Sequence, residues 1–403
     1  MEVMFLKNKV KIFIILIFAA LIIGCSGSNK SSVDNNLKVE KEKIINEDRV
    51  ESSELDMVKK VENMTLEEKI NQMMMISIAK VNVDGNIIDF TEVDYNTRKF
   101  LTENKPGGII LFKNNMINED QTRKLTSDIK AIYNNSHLII GTDEEGGIVR
   151  RIPIESENLN ANEIGKTKDI QRAYKSGDTI GKSLKKLGIN VDFAPVVDIN
   201  TNPNNPVIGV RAYSDNAEEV AKFAMEFIRG LRENNILSTA KHFPGHGDTV
   251  EDSHVGLPKI EHSKERLENI ELYPFKEAIK NNVDMIMIGH LIVPSLDDSN
   301  LPASLSKKIV THLLKEELKF NGIVITDAMN MGAIKENFDY KDATVKAINA
   351  GNDIILMPID FVINESENLY TDLINYVSAS VKNGEISEER INEAVIKILR
   401  LEV

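Results

Sequence analysis

The 403-residue sequence holds one cysteine and no tryptophan, and aromatic residues make up only 5% of it. A single thiol excludes a disulfide framework and any zinc or iron–sulfur centre built from several cysteines. Positive charge is also in deficit: 49 Lys and Arg stand against 62 Asp and Glu, a net charge of −13. A nucleic-acid surface needs a basic stripe, and this balance argues against one. Long apolar runs are missing too. The longest, Ile12 to Ile23, has twelve residues, against about 20 for a comfortable transmembrane helix. At 42% hydrophobic and 28% charged, what is present is an ordinary globular composition.

The lone cysteine is explained by its position. Lys7, Lys9 and Lys11 precede the apolar run, and Gly24-Cys25 follow it. A basic stretch, a short apolar core and a small residue before the cut describe a secretory signal. Ile22-Ile23-Gly24-Cys25 resembles a bacterial lipobox, which implies removal of residues 1–24 and lipidation of Cys25 as the first mature residue. Each buried CH₂ of such a lipid contributes about 0.8 kcal/mol of anchoring. Residues 25–55 are polar, lack aromatics and show no apolar period, so they read as a flexible tether. Its root-mean-square reach is roughly 30 Å. The body, residues 56–403, is therefore expected outside the cytoplasm, lipid-anchored to the outer face of a bacterial cell membrane.

Thr65-Leu-Glu-Glu68 has the form of a capping box and opens the body. Beyond it, eight short apolar runs predict strands: Met74–Ala79, Gly108–Phe112, Leu138–Asp143, Val191–Val197, Leu237–Phe243, Met285–His290, Ile323–Asp327 and Asp353–Met357. Amphipathic stretches lie between them, among them Ala217–Glu233, Ser263–Asn281 and Ser306–Phe320, and Glu385–Val403 reads as a final helix. Continuous apolar strands alternating with helices indicate an α/β fold with a parallel sheet covered on both sides. Eight units suggest a (β/α)₈ barrel of TIM type in a single catalytic domain, with a doubly wound sheet as the alternative. Asp143, Asp198, His242, His290 and Asp327 fall at the ends of different strands. Only a barrel brings five such ends to one face.

The densest chemistry lies in Lys241-His-Phe-Pro-Gly-His-Gly-Asp-Thr-Val-Glu-Asp-Ser-His254, where three of the seven histidines fall within 13 residues. Pro244, Gly245 and Gly247 forbid a helix, so a strand end passes into a loop. Asp252 stands two residues from His254, and a carboxylate beside an imidazole makes the histidine a competent general acid and then base. A zinc site assembled from His242, His246, His254 and Asp248 with His290 and Asp327 is the rival reading. A second cluster, Gly141-Thr-Asp-Glu-Glu-Gly-Gly147 followed by Arg150 and Arg151, suits sugar hydroxyls or a cation. In the third, Ile323–Thr326 delivers Asp327 to the mouth, as a nucleophile or a helix cap.

The Lys241–Thr249 run followed by Asp252-Ser-His254 closely resembles the signature of glycoside hydrolase family 3 β-N-acetylglucosaminidases. Further landmarks follow in the expected order: Met64–Ile70, Gly107–Phe112, Val191–Asp198, Pro302–Ser306 and Ala350–Asp353. The resemblance implies retaining exo-cleavage of terminal β-linked N-acetylglucosamine from peptidoglycan-derived or chitin-like glycans. It implies Asp327 as nucleophile, His254 as acid/base assisted by Asp252, and Asp143, Arg211, Lys241 and His242 as sugar-binding residues. No cofactor or metal is implied, and a monomer without a C-terminal α/β sandwich domain is expected. Glu144, Ile148 and Ala212 depart from the family pattern of Gln or His, Arg, and Ser. A metal-dependent barrel hydrolase and a tethered sugar-binding lipoprotein are the alternative functions.

Overall fold

The computed structural model describes residues 55–134, 136–153, 159–251 and 256–403. The chain divides into two units, Met1–Lys59 and Lys60–Val403, and the second carries the fold. The expected signal, the lipidated Cys25 and the tether up to Glu54 lie outside the described residues. Among those described, no helix is long and apolar enough to cross a membrane.

Among the described residues eleven strands follow one another: β1 (Met74–Ser77), β2 (Lys80–Val83), β3 (Asn86–Asp89), β4 (Gly108–Ile110), β5 (Ile139–Thr142), β6 (Val191–Asp192), β7 (Leu237–Phe243), β8 (Met285–Ile288), β9 (Ile323–Thr326), β10 (Ile355–Leu356) and β11 (Val362–Ile363). Eight of them form one parallel sheet in the order β10-β1-β4-β5-β6-β7-β8-β9. Its ends meet. Ile325 and Ile354 make a parallel bridge, and the Thr326 N–H donates to Ile354 O at 3.1 Å. The sheet is therefore a barrel, and all eight predicted strands are in it. Their residues are buried almost throughout, as expected for strands covered by helices outside and side chains inside. A Cβ on Gly141 would lie 3.0 Å from both Met75 and Phe193, so those two side chains fill the space the glycine leaves.

The seam is held at the end of the barrel away from the strand C-termini. Asp353 is fully buried there, accepts the Val324 N–H at 3.0 Å, and pairs with Lys315 at 3.0 Å and with Arg390. The Ala350–Asp353 landmark is thus a structural clamp. Arg390 comes from the last helix, Glu388–Leu399, which lies inside the predicted Glu385–Val403.

Two helical expectations need correction. The stretch Ser263–Asn281 is two helices, Lys264–Asn269 and Tyr273–Lys280. Pro274 lacks the N–H that a continuous helix would donate to Ile270, and it fits the first turn of a new one. Ser306–Phe320 contains Lys308–Glu317, wound with i→i+5 bonds such as Leu318 N–H to Leu313 O. The capping box on Leu66–Met73 forms as expected, with Thr65 and Glu68 exchanging hydrogen bonds. A small sheet, β11-β2-β3, was not foreseen. Asp84-Gly85, both at positive φ, turn the β2–β3 hairpin. That dipeptide is the signal that could have revealed it.

Candidate active site

The polar strand ends converge. Asp143 follows β5, Asp198 lies beyond β6, Lys241 and His242 are in β7, His290 follows β8 and Asp327 follows β9. A cavity of about 500 Å³ opens among them, and Asp143, Arg211, Lys241, His242 and Asp327 all line it. Five of the seven residues expected to act on a sugar are therefore together. The other two, Asp252 and His254, lie outside the described residues.

Asp327 is placed by the strand ladder, its N–H donating to Ile288 O at 2.9 Å. Its Oδ1 accepts the Ala328 N–H at 2.8 Å. Burial alone would push this carboxyl up, but the fields of His242 and His290, the Ala328 N–H and Lys241 hold it below its ordinary value. It is an ionised carboxylate facing a cavity. Such a group can attack carbon.

Beside it stands a buried charge array. Lys241, only 2% exposed, reaches Asp143 Oδ1 at 2.6 Å and Glu145 Oε1 at 2.8 Å. Arg211 grips Glu145 with two bonds, Nε to Oε2 at 2.8 Å and Nη2 to Oε1 at 2.7 Å. Burial would raise Glu145, yet Arg211 and Lys241 keep it far below the ordinary carboxylate range. Burial would likewise lower Lys241, and Asp143 with Glu145 raise it instead. The array is a fixed set of charged donors and acceptors whose partners are already in place. That suits the hydroxyls and amide of a sugar ring.

His242 is oriented by Asp198, whose Oδ2 lies 2.7 Å from Nδ1. Asp198 also accepts the backbone N–H groups of His242 and His246. Burial pushes Asp198 up, but the two histidines hold it down. His246 Nδ1 meets Thr249 Oγ1 at 2.8 Å, and burial lowers this histidine to about 4. His290 is bonded through both ring nitrogens, to Ser304 Oγ at 2.8 Å and to Ala328 O at 3.0 Å. Asp248 meets Thr201 and His262. Each described member of the rival zinc set thus already has a protein partner. Among the described residues no group of three or more His, Cys, Asp or Glu is arranged to hold a metal.

The loop after β7 is pressed against the loop after β6. A Cβ on Gly247 would fall 1.7 Å from Ile199 O, so no larger residue fits. Asn205 Nδ2 adds a bond to His246 O at 2.8 Å.

Sequence reasoning places Asp198 among the strand ends and Glu145 and Arg151 in a cluster suited to sugar hydroxyls, but gives none of the three a role of its own; Glu145 and Arg151 both line the cavity. In a run of three acids, spacing does not say which of them turn inward. Among the three departures, Ala212 packs with Val196 and Ile208 in an apolar cluster, where a hydroxyl would want a partner. Ile148 is exposed. Glu144 is buried behind the loop.

A parallel barrel with an ionised carboxylate beside a charged array at its C-terminal mouth has the makings of a carbohydrate-active barrel. Comparison with known proteins narrows this. The family model described as "Glycosyl hydrolase family 3 N terminal domain" matches residues 65–401, and the chain belongs to that family of glycoside hydrolases. Beta-hexosaminidase A of Pseudoalteromonas piscicida is 38% identical over 315 residues, covering 73% of this chain and 53% of that protein. A beta-hexosaminidase of Idiomarina loihiensis is 33% identical over 275 residues, covering 66% and 81%. The solved family 3 beta-N-acetylglucosaminidase of Paenibacillus sp. str. FPU-7 superposes with a TM-score of 0.77 at 38% identity, covering 84% of this chain and 62% of that one. The chain thus spans about half the length of the Pseudoalteromonas relative.

Proposed function

We propose that this chain is a retaining exo-β-N-acetylglucosaminidase acting on terminal β-linked N-acetylglucosamine of peptidoglycan-derived or chitin-like glycans. The observation that carries the reading is Asp327, half-buried, ionised and facing the same cavity as the Asp143–Lys241–Glu145–Arg211 array. The names of the Pseudoalteromonas, Idiomarina and Paenibacillus relatives support the same substrate class.

The array and His242 hold the sugar ring. An Asp327 carboxylate oxygen bonds to the anomeric carbon as the bond to the leaving oxygen breaks, and His254 gives its proton to that oxygen. Neutral His254 then takes a proton from water, whose oxygen displaces Asp327 and restores the original configuration. Asp252 favours the charged imidazole before the first step. After donating its proton the histidine carries no negative charge, so an anionic acceptor such as phosphate meets no repulsion from it.

The test is to incubate the detergent-solubilised full chain with defined muropeptides and chito-oligomers, with and without phosphate, and to identify products by mass and by proton NMR. The expected first product is the β-anomer of N-acetylglucosamine. An α-anomer overturns retention, sugar 1-phosphate replaces hydrolysis by phosphorolysis, and tight binding without turnover favours a sugar-binding lipoprotein. Lipid anchoring at Cys25 to the outer face of a bacterial cell membrane belongs to the same proposal. Labelling with radioactive palmitate checks it, and Cys25→Ser should abolish the label.

A further inference from the structure

The mechanism leaves the buried acid Glu144 unused. Glu144 is 1% exposed and touches no cavity wall, yet its Oε2 accepts the Arg151 N–H at 2.6 Å and the Ile152 N–H at 3.0 Å. These bonds close the loop from 144 to 152 upon itself. A second closure, the Glu145 N–H to Val149 O at 3.0 Å, lies inside the first. The loop delivers Glu145, Val149 and Arg151 to the cavity, and two of these are charged. Behind Glu144 stands Asp192 of β6, whose Oδ1 accepts the Glu144 N–H at 2.9 Å while its Oδ2 is buried without a partner.

We infer that Glu144 is a positioning residue whose carboxyl sets the loop carrying Glu145 and Arg151, so that sugar binding depends on the protonation of a group that touches no sugar. The inference rests on the reading of the cavity as a sugar site. The charged groups around Glu144 are Arg150 and Arg151 in its own loop and Asp192 on β6, and Asp192 in turn feels Lys241 on β7 and Asp143 at the end of β5. Burial dominates and raises Glu144 to about 7, against the pull of the Ile152 and Arg151 N–H groups and of the two arginines. Burial also holds Asp192 well above its ordinary value. A loop opened to water returns Glu144 toward its ordinary 4.5. The closed loop is therefore favoured most below 4.5, and it loses ground as pH rises to about 7, beyond which the loss levels off.

Two variants separate charge from hydrogen bonding. Glu144→Gln keeps an acceptor oxygen and cannot ionise, whereas Glu144→Leu has neither property. KM for an aryl β-N-acetylglucosaminide should rise several-fold for the native chain between pH 5 and 8 ("several-fold" being a small part of the ~10-fold per pH unit available to one proton). In Glu144→Gln that rise should vanish while kcat stays within about twofold, and in Glu144→Leu KM should be raised by about tenfold at every pH. Amide exchange protection at Arg151 and Ile152 should follow the same pattern without substrate. If Glu144→Gln keeps the native pH dependence of both KM and protection, the inference is wrong. If the native chain neither binds nor cleaves N-acetylglucosaminides, the sugar reading fails, and exchange protection alone decides the role of Glu144.

Discussion

Glu145 joins the two cations of the site, and replacing it by glutamine tests whether the array is a preassembled unit. The carboxylate takes three bonds of 2.7–2.8 Å, two from Arg211 and one from Lys241. Glu145→Gln preserves shape but leaves Lys241, 2% exposed, with Asp143 alone. Arg211 keeps its bond to Val207 O at 3.2 Å. Removing one partner of a buried ion pair costs about 3–5 kcal/mol, because the remaining charge stays buried. At about 2 °C per kcal/mol for a domain of this size, Tm should fall by roughly 6–10 °C. Thermal unfolding followed by circular dichroism reads this directly, and kcat/KM should fall with it.

The sign of its pH dependence follows from the same contacts. Arg211 and Lys241 depress Glu145 in the folded protein, so its stabilisation is complete above the ordinary value of 4.5 and declines as pH falls below it. The native–variant gap in Tm should therefore be full at pH 7 and shrink only in acid. Lys241→Met in the Glu145→Gln background should recover part of the loss, since neighbouring charges couple by about 0.5–3 kcal/mol. A Glu145→Gln variant that melts within 1–2 °C (about 0.5–1 kcal/mol) of the native protein, with unchanged kcat/KM, would refute the reasoning.

Asp327→Asn should abolish turnover of every glycoside while leaving Tm close to native; residual activity on activated substrates would place the nucleophile elsewhere. His254→Ala should lose about 10²–10⁴-fold on natural glycosides and little on aryl glycosides with good leaving groups, and equal loss on both would make His254 structural. Gly177→Ala would set a Cβ 2.2 Å from Phe227 O between two packed helices, so Tm should drop by the equivalent of about 1–3 kcal/mol. Prolonged dialysis against a chelator should leave kcat unchanged; loss restored by zinc would revive the metal-dependent reading.

The fold was legible because each barrel strand is a local apolar run. Ile323–Thr326 and Met285–Ile288 are buried on both faces, and such strands need no alternation to be seen. Their polar terminators, His290 and Asp327, were visible for the same reason. The small sheet was harder: β3 is exposed along its whole length, so it has no apolar signature beyond its turn. Val191–Val197 reads as one strand, and the structure pairs it in register at Val191–Asp192 and again at Val196; between them Pro195 has no N–H to give, although its carbonyl accepts the Lys241 N–H at 3.3 Å.

The roles within the clusters were less legible than their membership. Adjacent acids in Asp143-Glu-Glu145 look alike in sequence, yet Asp143 and Glu145 face the cavity while Glu144 points behind the loop to hold it. His242, His246 and His290 looked alike too, as possible ligands. Their ring partners, Asp198, Thr249 and Ser304, arrive from distant or looping segments.

Local physics in the sequence thus determined the strand–helix period, the barrel it closes into, and the strand ends where chemistry gathers, since burial and periodicity act on neighbours along the chain. Tertiary structure alone decided the joining of Arg211 to Glu145 and of Lys241 to Asp143, pairs 66 and 98 residues apart. Charge state at these positions depends on what lies within a few ångströms in space, and no spacing along the chain encodes that distance.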